Sequence, residues 1–203
     1  RSTLFPYTTL FRSSYPLNSL CSNACTRDNY EIAKLLIEKG ADINHETEEG
    51  FTPLNSACKR GDYKIAKLLI EKGADVNCKT KEGFTPLHDA CKRGDYEIAK
   101  LLIEKGADVN HKNKQEFTPL HYACRGGNYK IAKLLIEKGA NIKKENGGGF
   151  TPLNSVCNSA CIREDYEIAK LLIEKGADVN HKTKQGFTPL HDVCKRGDYK
   201  IAN

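Results

Sequence analysis

Three of the six histidines recur at one fixed place, fourth in Thr-Pro-Leu-His: His88, His121 and His191. An imidazole can serve as base, acid or metal ligand near neutral pH, so these three are the first candidates for chemistry. Two are followed by aspartate, as His88-Asp89 and His191-Asp192. Neighbours on a helix diverge, so neither pair makes a dyad, and no nucleophile–base–orienter set accompanies them. Nine cysteines are the second candidates. Cys21/Cys25 and Cys157/Cys161 are four apart, a spacing that could present two zinc ligands on one helix face, but two further ligands are not visible. Cys58, Cys91, Cys124 and Cys194 repeat at one equivalent position and read as buried small hydrophobes. Cys78 stands alone in a loop, where other copies have His45, His111 and His181; it is the thiol expected to react first. No metal, cofactor or catalytic role is expected.

These residues are placed by a repeat. Thr-Pro-Leu recurs at Thr52, Thr85, Thr118, Thr151 and Thr188, in three steps of 33 residues and one of 37. Gly-Ala-(Asp/Asn) recurs in the same register at Gly40, Gly73, Gly106, Gly139 and Gly176. A fixed period in this range marks a solenoid. Within one unit, Thr85 is a good N-cap and Pro86 suits the first helical position. Leu87, Ala90 and Cys91 then form one apolar stripe, with Asp89, Lys92 and Arg93 opposite. Gly94 can take positive φ and end that helix. Asp95 caps a second helix whose buried stripe is Ile98, Leu101 and Leu102. The polar stretch from Ala107 to Phe117 reads as a β-hairpin loop. Helices this short need neighbours to bury their stripes.

Thr-Pro-Leu-His-x-Ala, a glycine between helices, Leu-Leu and then Gly-Ala-Asp-Val-Asn together resemble the ankyrin repeat, over roughly residues 15–203. The resemblance implies an all-α ankyrin-repeat solenoid: stacked antiparallel helix pairs with projecting β-hairpin loops, binding proteins on the concave face of first helices and hairpin tips. It also implies that the Thr and His of each motif hydrogen-bond within and between repeats, with Asn55 and Asn154 making similar bonds. The repeats fall at about 15–48, 49–81, 82–114, 115–147, 148–184 and, in part, 185–203. Two of them carry four extra residues, around Cys21–Cys25 and Cys157–Cys161, which predicts a first helix longer by one turn. Asp75-Val76-Asn77, Asp108-Val109-Asn110 and Asp178-Val179-Asn180 resemble the hairpin motif that asparaginyl hydroxylases modify.

Residues 1–13 lack the pattern, and 3–13 resemble a translated sequencing adapter. They are set aside as a non-native segment, and the chain is expected to be a fragment of a longer protein. Net charge is +6 from 32 Lys+Arg and 26 Asp+Glu, or +4 without Arg1 and Arg12. That balance is too weak and dispersed to predict nucleic acid as a partner, and no apolar run predicts a membrane span. An odd cysteine count repeating once per unit suggests a reduced intracellular protein, cytoplasmic or nuclear, and a monomer.

The second helix hardly varies between copies. Variation gathers on the outer face of the first helix, at Ser56, Asp89, Tyr122 and Asp192, followed by Lys59-Arg60, Lys92-Arg93, Arg125 and Lys195-Arg196. A solvated face would give the same pattern, with Asp89 pairing to Arg93 at i,i+4. The functional reading is a ladder of basic pairs for a protein partner of acidic character, with Tyr122 as a buried anchor and hairpin lysines Lys79, Lys81, Lys112 and Lys114 nearby. The leading expectation is a protein-interaction scaffold. The alternative is the targeting module of a larger, truncated enzyme, channel or ligase adaptor.

Overall fold

The computed structural model describes residue 17, residues 27–159 and residues 165–196. They form ten helices: α1 Arg27–Glu38, α2 Pro53–Arg60, α3 Tyr63–Glu71, α4 Pro86–Arg93, α5 Tyr96–Glu104, α6 Pro119–Arg125, α7 Tyr129–Glu137, α8 Pro152–Cys157, α9 Asp165–Glu174 and α10 Pro189–Arg196. The described chain is an all-α solenoid of antiparallel pairs. Inner helices α2, α4, α6, α8 and α10 pack in sequence on one another, and outer helices α1, α3, α5, α7 and α9 do the same behind them.

Most of the sequence signals that start and stop these helices are used as expected, but Asp95 makes no side-chain bond to the start of α5. Thr52 is extended at φ −92°, its hydroxyl accepts the Asn55 N–H at 3.3 Å, and Pro53 opens α2. Gly61 and Gly94 end α2 and α4 in the left-handed region, at φ 78° and 87°. Asp62 caps α3 by accepting the Ile65 N–H at 3.1 Å. The apolar stripes then close into one continuous core running through every repeat, including Leu54, Leu87, Leu120 and Leu153 from the inner helices and Ile65, Ile98, Ile131 and Ile168 from the outer ones.

The polar loops are the expected hairpin turns, with pairing too brief for any strand among the described residues. Within a loop the turn is held by Thr80 N–H to Phe84 O at 2.9 Å and Gly83 N–H to Thr80 O at 2.8 Å, while the next donor, Lys81 N–H, goes to Glu49 O of the preceding loop at 2.9 Å. Donors that would extend a ladder instead tie one loop to the next. The hairpin asparagines do likewise: Asn77 Nδ2 donates to Gly106 O at 3.1 Å and its Oδ1 accepts Asp108 N–H at 2.9 Å, and Asn110 repeats the bridge to Gly139 and Asn141.

The long repeat corrects one expectation. Its inner helix α8 ends at Cys157, two residues shorter than α2. Asn158 N–H closes on Asn154 O, and the Ser159 hydroxyl donates to Arg125 O at 2.7 Å, which draws the chain back onto the preceding repeat instead of continuing the helix. The counterpart around Cys21–Cys25 lies outside the described residues, as does the adapter-like segment.

Glu116 holds φ 62° where the equivalent loop positions are Gly50, Gly83, Gly149 and Gly186. A Cβ in the left-handed region costs roughly 1 kcal/mol. The Lys112–Glu116 ion pair at 2.7 Å is exposed and screened by solvent, so it offsets little of that. Glu116→Gly is therefore expected to raise the melting temperature by a few degrees; a lower melting temperature in a thermal scan would show that the ion pair outweighs the backbone.

Candidate binding surface

Each inner helix delivers its last turn and its hairpin to the same face, so the varied residues come together there. Lys59, Lys92, Arg93, Arg125 and Lys195 are exposed and Arg60 is partly so. The side chain of Arg196 lies outside the described residues. Between consecutive repeats this face opens into a series of grooves. One is lined by Phe51, Ser56, Lys59, Arg60 and Arg93. The next is lined by Glu82, Phe84, Lys92, Tyr122 and Arg125. A third is lined by Phe117, Arg125, Asn146, Phe150, Ser155 and Asn158.

The residue that follows His or Asn in each motif is not on the outer surface. Ser56 is 7 % exposed, and Asp89, Tyr122 and Asp192 are each 8 % exposed. They lie under the rim, at the junction with the neighbouring inner helix. Tyr122 is already occupied: its ring centroid lies 5.6 Å from that of Phe84 and 5.5 Å from that of Phe117, and its hydroxyl accepts Asn113 Nδ2–H at 3.1 Å. It serves as groove floor, not as a projecting anchor. Asp89 does not pair with Arg93. Arg93 turns to Asp95 instead, Nε to Oδ2 at 2.7 Å, and this pair lies so close over Gly61 that a Cβ there would overlap it. Burial pushes the Asp89 carboxyl up to about 7, against the opposing pull of Lys59 and Lys92; its Oδ2 has no hydrogen-bond partner.

The hairpin lysines are unequal. Lys112 is bound to Glu116, and Lys114 Nζ reaches Glu82 of the preceding loop at 3.4 Å, whereas Lys79 and Lys81 are exposed. Lys59 curls inward, its Nζ 4.9 Å from the centroid of the Phe51 ring. The phenylalanine before each Thr-Pro-Leu is the element that the sequence reading missed. Its signal was present: the same position is aromatic in Phe51, Phe84, Phe117, Phe150 and Phe187, at the end of an otherwise polar loop.

His88 and His121 are structural, whereas His191, bonded through Nδ1 to Thr188, is exposed. His88 Nδ1 accepts from Thr85 N–H at 3.2 Å and Thr85 O–H at 2.8 Å, which leaves the proton on Nε2, facing Phe117 O of the next repeat at 3.1 Å. His121 repeats this with Thr118 and Phe150 O. Burial lowers both imidazoles to about 4. With both nitrogens engaged, neither ring is available as a base. Burial likewise drives the Cys91 and Cys124 thiols far above the ordinary range. Among the described residues, no group of three or more His, Cys, Asp or Glu is placed to hold a metal ion. Nor is any helix there long and apolar enough to cross a membrane.

A family model described as ankyrin repeats (3 copies) matches residues 21–113, 72–146 and 92–183. The chain belongs to the ankyrin-repeat family. No curated protein matches it. Ankyrin repeats are protein–protein interaction modules, which accords with a surface of grooves and rim charges.

The thiols of this ankyrin chain reverse one expectation. Cys78 is buried, its Sγ 3.2 Å from Thr52 Oγ1 and 3.3 Å from Asn55 Oδ1, and burial raises it to about 11. Cys194 is exposed. A thiolate reacts in proportion to its access and ionisation, so site-resolved alkylation of the native chain should modify Cys194 about tenfold or more ahead of Cys58, Cys78, Cys91, Cys124 and Cys157. Early loss of Cys78 would remove it from the Thr52–Asn55 pocket.

Proposed function

We propose that this chain is a protein-interaction scaffold whose groove-bearing face takes a partner of acidic character. One observation carries the reading: Lys59, Arg60, Lys92, Arg93 and Arg125 line grooves that also hold Phe51, Phe84 and Phe117, and there they outnumber the acidic Glu49 and Glu82. Rim charges speed encounter and select against wrong partners more than they add affinity. The half-buried phenylalanines supply apolar contact area beneath them. Asp89 and Asp192 subtract little, since both are sunk below the rim and burial favours their neutral form. The hairpin asparagines that resemble a hydroxylation motif are already engaged by the neighbouring loops, which makes a scaffolding role for Asn77 and Asn110 the simpler one.

The experiment is capture of partner by wild type and by Lys59→Glu/Lys92→Glu/Arg125→Glu at low and high salt. These three positions are exposed, whereas Arg93 is committed to Asp95. Reversal should cut recovery about tenfold or more at low salt, and salt alone should weaken the wild type. Melting temperature should stay within a few degrees. Equal recovery from all four samples would remove the basic rim from partner binding.

A further inference from the structure

The basic rim is not continuous. Lys59 and Arg60, then Lys92 and Arg93, then Arg125 close α2, α4 and α6 in turn. Helix α8, Pro-Leu-Asn-Ser-Val-Cys, carries no charged residue and is followed by Asn158. Among the described inner helices, basic residues recur on α10. The stretch where charge lies over an aromatic floor therefore spans three repeats, with Phe51, Phe84 and Phe117 beneath it.

Spacing decides what fits that stretch. Packed helices sit about 8–10 Å apart, so successive rim charges advance by that step. A polyproline II chain has three residues per turn and a rise of about 3.1 Å, so every third side chain returns to one face after about 9.3 Å. A β-strand returns after two residues, about 6.8 Å, and loses register within one repeat. An α-helix could match the step only at every seventh residue, and its width of about 10–12 Å would hold its backbone off the floor. At one end of the stretch the charge lies on the floor, the Lys59 ammonium being 4.9 Å from the centroid of the Phe51 ring. A thin chain reaches ring and charge together.

We propose that the partner segment is an extended acidic peptide in polyproline II conformation, with Asp or Glu at every third residue over about seven residues. It runs along α2, α4 and α6, and its intervening apolar side chains rest on Phe51, Phe84 and Phe117. This rests on the groove face being the binding surface, and it adds the conformation, register and footprint of what binds there.

The test is fluorescence polarisation of labelled peptides with the full chain. One peptide is Glu-Pro-Leu-Glu-Pro-Leu-Glu. A second has the same composition with the acids grouped, and a third is a stapled helix with acids seven apart. The first should bind about tenfold more tightly than either other. Lys92→Glu should abolish that preference and Lys133→Glu, on outer helix α7, should leave it unchanged. Equal affinity for the first two peptides, tighter binding of the helix, or no binding of any peptide would overturn the proposal. If the triple charge-reversed chain loses all three peptides equally, the basic face stands as the binding surface and only the register fails. If it keeps them all, the surface itself is wrong.

Discussion

An imidazole committed on both sides holds one repeat to the next. In His88 and His121, Nδ1 takes the Thr N–H and hydroxyl of its own helix cap, and Nε2–H donates to the Phe carbonyl of the following repeat. One side chain thus fixes the start of an inner helix and sets its position against the neighbouring hairpin. The floor of the grooves hangs on that bond, because the acceptor is the backbone of Phe117 or Phe150, whose rings line the surface. The arrangement works only with a neutral ring in one tautomer, and burial enforces it.

Where the fourth residue is asparagine, the link is half made. Asn55 Oδ1 accepts Thr52 N–H at 3.1 Å, the Thr52 hydroxyl at 3.0 Å and the Cys78 thiol, and so reproduces the role of Nδ1. The amide nitrogens of Asn55 and Asn154 are buried without a partner, being too short to do what Nε2 does. An unpaired buried donor costs about 1–3 kcal/mol. The loop after Asn55 is tied instead through Cys78, whose Sγ lies 3.2 Å from Thr52 Oγ1 and 3.3 Å from Asn55 Oδ1, and the loop after Asn154 through His181 Nε2 on Gly149 O at 3.0 Å.

Much of this was legible in the sequence because the signals are local and recur. Thr-Pro starts, Gly stops and Leu-Leu stripes each follow from the geometry of one helix, and repetition removes the ambiguity of a single instance. What was not legible depended on neighbours. Helical periodicity puts Asp89 and Tyr122 on an outer face, but in a stack that face meets the adjacent inner helix, so both are buried. Cys78 was read as a loop thiol, yet its loop folds over the Thr52–Asn55 cap. The extra residues near Cys157 keep the apolar phase of a longer helix, but a hydrogen bond from Ser159 to the preceding repeat ends it early. The phenylalanine floor was overlooked because an apolar residue at a loop end is ordinary in isolation.

The account depends most on the histidine link, and pH isolates it. Unfolded imidazole titrates near 6.5 and the buried rings near 4. Their contribution to stability is thus complete above pH 6.5 and is lost as pH falls through 6.5 towards 4. Burial of the Asp89 carboxyl acts in the opposite direction over much the same range, but it is common to wild type and variant and cancels between them. The measurement is urea unfolding of wild type and His88→Asn/His121→Asn at pH 7.5 and pH 4.5. At pH 7.5 the variant should be less stable by about 1–3 kcal/mol, and at pH 4.5 the gap should shrink, vanish or reverse. An equal gap at both pH values would contradict a neutral, doubly bonded imidazole as the link between repeats.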